Sequence, residues 1–105
     1  MTRGEIWLAR DRDAEPSAAA PGTPCLVVSP PELGGVLDVV TVAPIAPGKA
    51  VAGFRVRALI AEQEHQILLE QLMTLDKRQL TERIGALDRK SLAKVLETLR
   101  EMFAD

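Results

Sequence analysis

The sequence predicts a mainly β chain with one helix: an α+β arrangement in which a small, strongly curved sheet or barrel is closed by a C-terminal helix. Three observations predict it. Thr23 to Ile45 holds two apolar runs, TPCLVVSP and VLDVVTVAPI, separated by the turn-rich PELGG. Both runs stay apolar where a strand with one wet face would alternate, so both faces should be covered. Shorter strand-like runs flank this pair on either side. Only the last part of the chain carries helical spacing.

Taken in order, Glu5 to Arg10 (EIWLAR) reads as a first strand, with Ile6 and Leu8 on one face and Trp7 on the other as a packing anchor. Asp11 to Gly22 contains Pro16, Pro21 and three consecutive alanines and has no apolar period, which predicts a mobile loop or lid. Cys25–Val28 and Val36–Ile45 are the two central strands. Their Val, Leu and Ile suit a pleated surface, and Pro30, Pro31, Gly34 and Gly35 break the chain between them. Ala46 to Gly53 reads as a second loop. Phe54 to Ala58 alternates, which puts Arg55 and Arg57 on one outer face, either as a solvated edge or as a pair of phosphate contacts. Ala61 to Gln66 reads as a polar connection carrying His65, the only histidine. Ile67 to Leu75 reads as one strand, followed by the polar cluster Asp76-Lys77-Arg78-Gln79. Ile84 to Leu87 is a short last strand.

The helix follows. Asp88 can accept from the backbone N–H of Lys90 or Ser91, and Leu87 and Leu92 occupy the two positions of a hydrophobic staple. Leu92, Val95, Leu96, Leu99, Met102 and Phe103 fall on one stripe. A helix of about 16 residues is marginal alone, so its stripe must dock on the sheet or on a partner.

Composition narrows the function. The chain has 105 residues, enough for one domain spanning 1–105. It is 47% apolar, 3% aromatic and has a net charge of −2. Few aromatics argue against a base-stacking platform, and the charge argues against broad polyanion binding, so any nucleic-acid contact must be local or composite. The single cysteine, Cys25, lies in an apolar run and reads as core. One histidine cannot build a metal site, and no cofactor is expected. The chain shows no leader pattern and no apolar run near the ~20 residues that a membrane helix needs, so a cytoplasmic location is expected. No phosphate-cradling glycine loop, metal-binding motif or nucleophile elbow is present. Glu70 and Asp76 could pair with Lys77 or Arg78, but are read as residues of a wet face.

The order of five segments goes further. RGEIWLA, PCLVVSP, VVTVAPI, LLEQLMTLDKRQLTERIGAL and the helix LAKVLETLREMF together resemble the MazF/PemK family of toxins, best over Arg3–Leu8, Pro24–Pro30 and Glu70–Gly85. The resemblance implies an SH3-like β-barrel with a C-terminal helix, a homodimer, and a cognate antitoxin bound along the dimer groove. It also implies a metal-independent endoribonuclease, an mRNA interferase that cuts single-stranded RNA, in which the 2′-OH attacks the adjacent phosphate and leaves a cyclic phosphate.

The departures fall on the chemistry. Where the family has an Arg before the Pro of the PCLVVSP-like strand, this chain has Thr23. Where it has a Thr after the VAPI-like strand, this chain has Ala46, followed by Pro47. In the family those two residues carry the reaction. Ser17-Ala18-Ala19-Ala20 replaces an acidic-polar stretch, and Met73 stands where Arg or Lys is common. Gln71, Thr74, Asp76, Lys77 and Arg78 fit the pattern, and Arg55, Arg57, Gln71, Thr74, Lys77 and Arg78 are the RNA-binding candidates. No Arg or Lys lies between Asp13 and Lys49, so a shifted alignment cannot restore the missing Arg. Arg10, Arg12, Arg55, Lys77 or Arg78 could replace it only if the fold brings one beside Thr23. Three functions stay open: a toxin acting weakly on RNA, a non-catalytic antitoxin- or RNA-binding module, and a gyrase-directed toxin. The last needs a C-terminal end that Met102-Phe103-Ala104-Asp105 does not supply.

Overall fold

The structure, a computed structural model, describes residues 1–10, 22–30, 37–50 and 54–104. The expected loop lid therefore lies outside the described residues except for Gly22, and so does most of the turn between the two central strands. The described strands are β1 (Glu5–Ala9), β2 (Thr23–Val27), β3 (Val39–Pro47), β4 (Arg55–Ile60), β5 (Gln63–Leu68), β6 (Met73–Asp76) and β7 (Leu80–Ala86). Two 3₁₀ turns, Leu69–Gln71 and Lys77–Gln79, flank β6, and α1 spans Arg89–Met102. The strands form one curled antiparallel sheet in the order β4-β5-β3-β2-β1-β7, with β6 also on β3.

β3 is the hub. One edge pairs with β2, Val42 facing Val27. The other edge pairs first with β6, Val42 facing Met73, and then with β5, Ile45 facing Ile67. An unbroken partner strand would set residue 70 opposite Val42. The pairing slips by three residues, the length of the Leu69–Gln71 turn. The expected single strand Ile67–Leu75 is thus two strands with a 3₁₀ turn between them. The apolar run is real, but Leu69 leaves the ladder to enter the core, where it is fully buried.

The expected polar connection Ala61–Gln66 is corrected as well. Ile60 pairs with Gln63, so Ala61 and Glu62 alone form the turn and β5 begins at once. Both have positive φ, 52° and 63°. That is the backbone of a two-residue hairpin normally built with Asn or Gly, so its residue types give no signal. The outer strands also differ from expectation. Ala46 and Pro47 extend β3 rather than opening a loop, because β5 holds them at Gln66 and His65. The final strand starts at Leu80, four residues before Ile84, because β1 pairs along it from Ala9 to Glu5.

Both faces of the central strands are covered, as the unbroken apolar runs require. Leu26, Val28, Ala43, Ile45, Val56, Ile67, Leu69 and Val95 belong to one cluster. Cys25, Val27, Val40, Val42 and Leu80 form the other, with Trp7 packed against it. Cys25 is core, and burial pushes its thiol up to about 11. Successive residues of β2 feed opposite clusters, as the pleat dictates.

Asp88 caps α1, its Oδ2 accepting from the Ser91 N–H at 3.0 Å. Gly4 lies under the helix with φ +93°, and a Cβ there would sit 3.0 Å from the Leu92 side chain. Its carbonyl accepts from the Leu87 N–H at 2.8 Å, so β1 sets the helix entry. Only Val95 is fully buried, while Leu99 and Met102 pack on the first cluster. Phe103 departs from its expected place on the stripe: it caps the helix end and is 73% exposed.

Leu69→Ala is expected to cost about 2–5 kcal/mol in a denaturant titration, as for other fully buried leucines. Phe103→Ala should stay within about 0.5 kcal/mol. Equal losses at the two positions would show that the Leu69 plug is not what holds the broken strand.

Candidate functional site

Thr23 opens β2 as an exposed residue facing Ala9 of β1. The strands approach closely here. A Cβ on Gly22 would meet the Ala9 carbonyl oxygen at 2.7 Å, so only glycine fits. Beneath Thr23 lies an open depression of about 210 Å³ lined by apolar Pro24, Pro44, Met73 and Leu75, with Arg10, Thr23 and Gln79 as its polar members.

Of the four described residues among the five named as replacements for the expected arginine, Arg10 is the one that lines this depression. Gln79 fixes its backbone from both sides. The Arg10 N–H donates to the Gln79 carbonyl at 2.9 Å. The Gln79 side-chain amide donates to the Arg10 carbonyl at 3.2 Å. Gln79 is itself held, because its Oε1 accepts from the Asp76 N–H at 3.0 Å. Sequence reasoning did not single out Gln79. Its signal was the Asp76-x-x-Gln79 spacing of a reciprocal cap.

Ala46 does not line the depression. It lies on β3 near the same end, and the β2–β3 register, if extended two residues past Cys25–Pro44, sets it opposite Thr23. Across the other edge of β3, Ala46 faces Gln66, and Gln66 faces Arg57. Arg55 joins this row by donating from Nη1 to Gln66 Oε1 at 2.8 Å. Arg55 and Arg57 therefore share an outer face beside Ala46, as their alternation predicts. Each has an acid partner. Arg55 Nε donates to both Glu70 oxygens at 2.9 and 2.7 Å, and Arg57 Nε donates to Glu64 at 2.6 Å. Glu70, read as a wet-face residue, is the anchor of Arg55. β4 is an outermost strand of the sheet, where such charges discourage edge pairing.

The remaining candidates are spread out. Lys77 and Arg78 lie with Asp38 and Asp76 around a separate depression, and Arg78 forks onto Asp76 at 3.2 and 3.0 Å. Gln71 is exposed at the end of the first 3₁₀ turn. Thr74 is exposed on β6 opposite Thr41, on the face that Met73 and Leu75 do not share. His65 is not on a polar connection: it lies in β5, half-buried, facing Ala58 and Pro47, and its Nδ1 lies 2.9 Å from the Gln63 carbonyl oxygen. It alternates with Gln66 and so points away from the Ala46–Gln66–Arg57 row.

The chain matches, over residues 2–103, the family described as PemK-like, MazF-like toxin of type II toxin-antitoxin system. A comparison with curated protein sequences finds no match. Among solved structures, the chain is similar to the Mycobacterium tuberculosis toxin MazF-mt6, with TM-score 0.76 and 20% identity over 94% of this chain and 95% of that one. It is similar to MazE-MazF (Form-II) from Deinococcus radiodurans, with TM-score 0.75 and 22% identity over 99% and 95%. It is also similar to an endoribonuclease in complex with its cognate antitoxin from mycobacterial species, with TM-score 0.78 and 14% identity over 96% and 92%. At these identities the likeness is one of fold.

The Arg55–Glu70 pair makes a pH prediction. The hydrogen bond from Arg55 holds the Glu70 carboxyl below its ordinary 4.5. A lowered native pKa stabilises the fold above the unfolded value, and that stabilisation is lost as pH falls through the native one. In Arg55→Gln, the Glu70 titration followed by carboxyl NMR should move up toward 4.5. An unchanged midpoint would mean that the pair does not persist in solution.

Proposed function

We infer the function of this chain from its family: it belongs to the PemK-like, MazF-like toxins of type II toxin–antitoxin systems. On that premise it is the toxin component of such a pair, directed at single-stranded RNA and slow at cutting it. The observation that carries this reading is the depression at the head of β2, open and apolar-walled, with Thr23 rather than a cation at the position that carries the reaction in the family.

The chemistry explains the slowness. The RNA 2′ oxygen bonds to phosphorus, the bond to the 5′ oxygen breaks, and a 2′,3′-cyclic phosphate forms. The 2′-OH gives up a proton, and another must reach the departing 5′ oxygen. Negative charge builds on the phosphate meanwhile. An arginine offers a charged fork that fits phosphate, whereas Thr23 offers one neutral hydroxyl on a short stem. A threonine hydroxyl is a poor acid near neutrality. Ala46 offers no hydrogen bond at all. Losing one well-placed donor costs about 10²–10³ in rate, so losing two should cost at least as much. His65 faces away from the Ala46–Gln66–Arg57 row and is a bystander to it.

The partners follow from the same premise. Two of the similar structures are toxins with antitoxins bound, which supports an antitoxin for this chain. A homodimer fits a small sheet whose helix buries only part of its stripe, because pairing two such units hides more apolar surface.

Purified protein is expected to cut single-stranded RNA far more slowly than typical family members, and Thr23→Arg combined with Ala46→Thr to raise the rate. Rapid, sequence-specific cleavage by the wild type, unmoved by single substitutions at Arg10, Arg12, Arg55, Lys77 or Arg78, would overturn this account. Binding of antitoxin with no cleavage in either protein would favour a non-catalytic module instead. Light scattering should give the mass of two chains, and a monomer at micromolar concentration would refute the dimer.

A further inference from the structure

We propose that Arg10 is the phosphate-binding cation of this chain, reaching the site from β1 in place of the arginine that β2 lacks, and that the depression beside it seats one nucleotide of single-stranded RNA. The proposal rests on the RNA-directed reading above.

Position comes first. Ala9 faces Thr23 in the β1–β2 ladder, so Arg10 emerges beside the substituted position. The close passage of Gly22 over the Ala9 carbonyl keeps the strands together there. Gln79 grips the Arg10 backbone on its N–H and its carbonyl. The side chain is therefore presented from a fixed stem, which lowers the entropy lost when it closes on a ligand.

Availability comes second. Arg3 donates to the Val28 carbonyl. Arg55, Arg57, Arg78 and Arg83 are paired with Glu70, Glu64, Asp76 and Glu5. Among the described residues, the Arg10 guanidinium has no such partner, and Arg10 is one of the residues that line the depression. Among the described residues outside α1, five guanidinium groups are held by an acid or a carbonyl and that of Arg10 is not.

Shape and chemistry come third. A volume of about 210 Å³ suits one nucleotide better than a helix or a strand of peptide. The walls Pro24, Pro44, Met73 and Leu75 give an apolar bed for a base, with Met73 adaptable and 43% exposed. Arg10 and the Thr23 hydroxyl can then donate to one phosphate, the first in a fork and the second singly. The arginine neutralises charge on the phosphate and leaves proton delivery to solvent, which fits slow rather than absent cleavage.

The test uses the intact protein and a short 2′-O-methyl single-stranded RNA, which cannot be cut, followed by fluorescence anisotropy across a salt series. Arg10→Ala should weaken binding about tenfold or more and lower the salt slope by about one. Arg10→Lys should keep the wild-type salt slope and recover only part of the affinity, because an ammonium contacts phosphate at one point. Arg100→Ala, on the exposed face of α1, should bind as the wild type does. Melting curves accompany each variant, and if Arg10→Ala is destabilised, the Arg10→Lys pattern alone decides. RNA binding with an unchanged slope in Arg10→Ala overturns the proposal and leaves the RNA-directed reading intact. A wild type that neither binds nor cuts RNA overturns both. An Arg10→Ala loss confined to an antitoxin peptide, with RNA binding untouched, also overturns it.

Discussion

The fold depends on one strand serving three partners. β3 pairs with β2 along one edge and with β6 and then β5 along the other. Those last two pairings cannot belong to one regular ladder, because their registers differ by three residues. The Leu69–Gln71 turn absorbs the difference and drops Leu69 into the core. Of the three residues removed from the ladder, Leu69 fills the inner face while Glu70 and Gln71 stay exposed. A sheet curled this way has an apolar inner face for Val95, Leu99 and Met102 of the helix, and a second apolar face under Trp7.

The same arrangement positions the candidate site. β1 is held between β2 and β7, and its end at Ala9 and Arg10 is clamped by Gln79. Gln79 belongs to the second 3₁₀ turn, whose own cap at Asp76 ends the strand that pairs with β3. A short chain of backbone contacts therefore connects the hub strand to the residue proposed to hold phosphate. Among the described residues, the apolar walls of the depression come from β2, β3 and β6, so the register of those strands sets their spacing.

Electrostatics divides the surface by role. The β4 arginines are committed to Glu70 and Glu64 and keep an outermost strand charged and soluble. Exposed pairs of this kind add little stability, and their worth is in suppressing edge pairing and ordering the row that reaches Ala46. Among the described arginines, Arg10 is the one that lines the apolar-walled depression, where a guanidinium would meet less competition from water. On the proposal above, this division would let a slightly acidic chain contact RNA locally rather than over a broad surface.

The sequence by itself determined the fold class, the two central strands, the buried cysteine, the Asp88 cap and the resemblance to the MazF/PemK toxins. Each is written in local pattern: unbroken Val, Leu and Ile runs, helical spacing, a capping carboxylate, and segment order. It also raises the expectation of departures from the family pattern at Thr23 and Ala46, because those are single letters beside recognisable neighbours. Only the tertiary structure decided the rest. The Ala61-Glu62 turn carries no hairpin residues and is imposed by the pairing of β4 with β5. The break at Leu69–Gln71 is invisible in an apolar run, since a buried strand and a buried plug look alike. The clamp of Gln79 on the Arg10 backbone is a contact between residues 69 positions apart. Register between distant strands is a property of the packed sheet, and no local pattern encodes it.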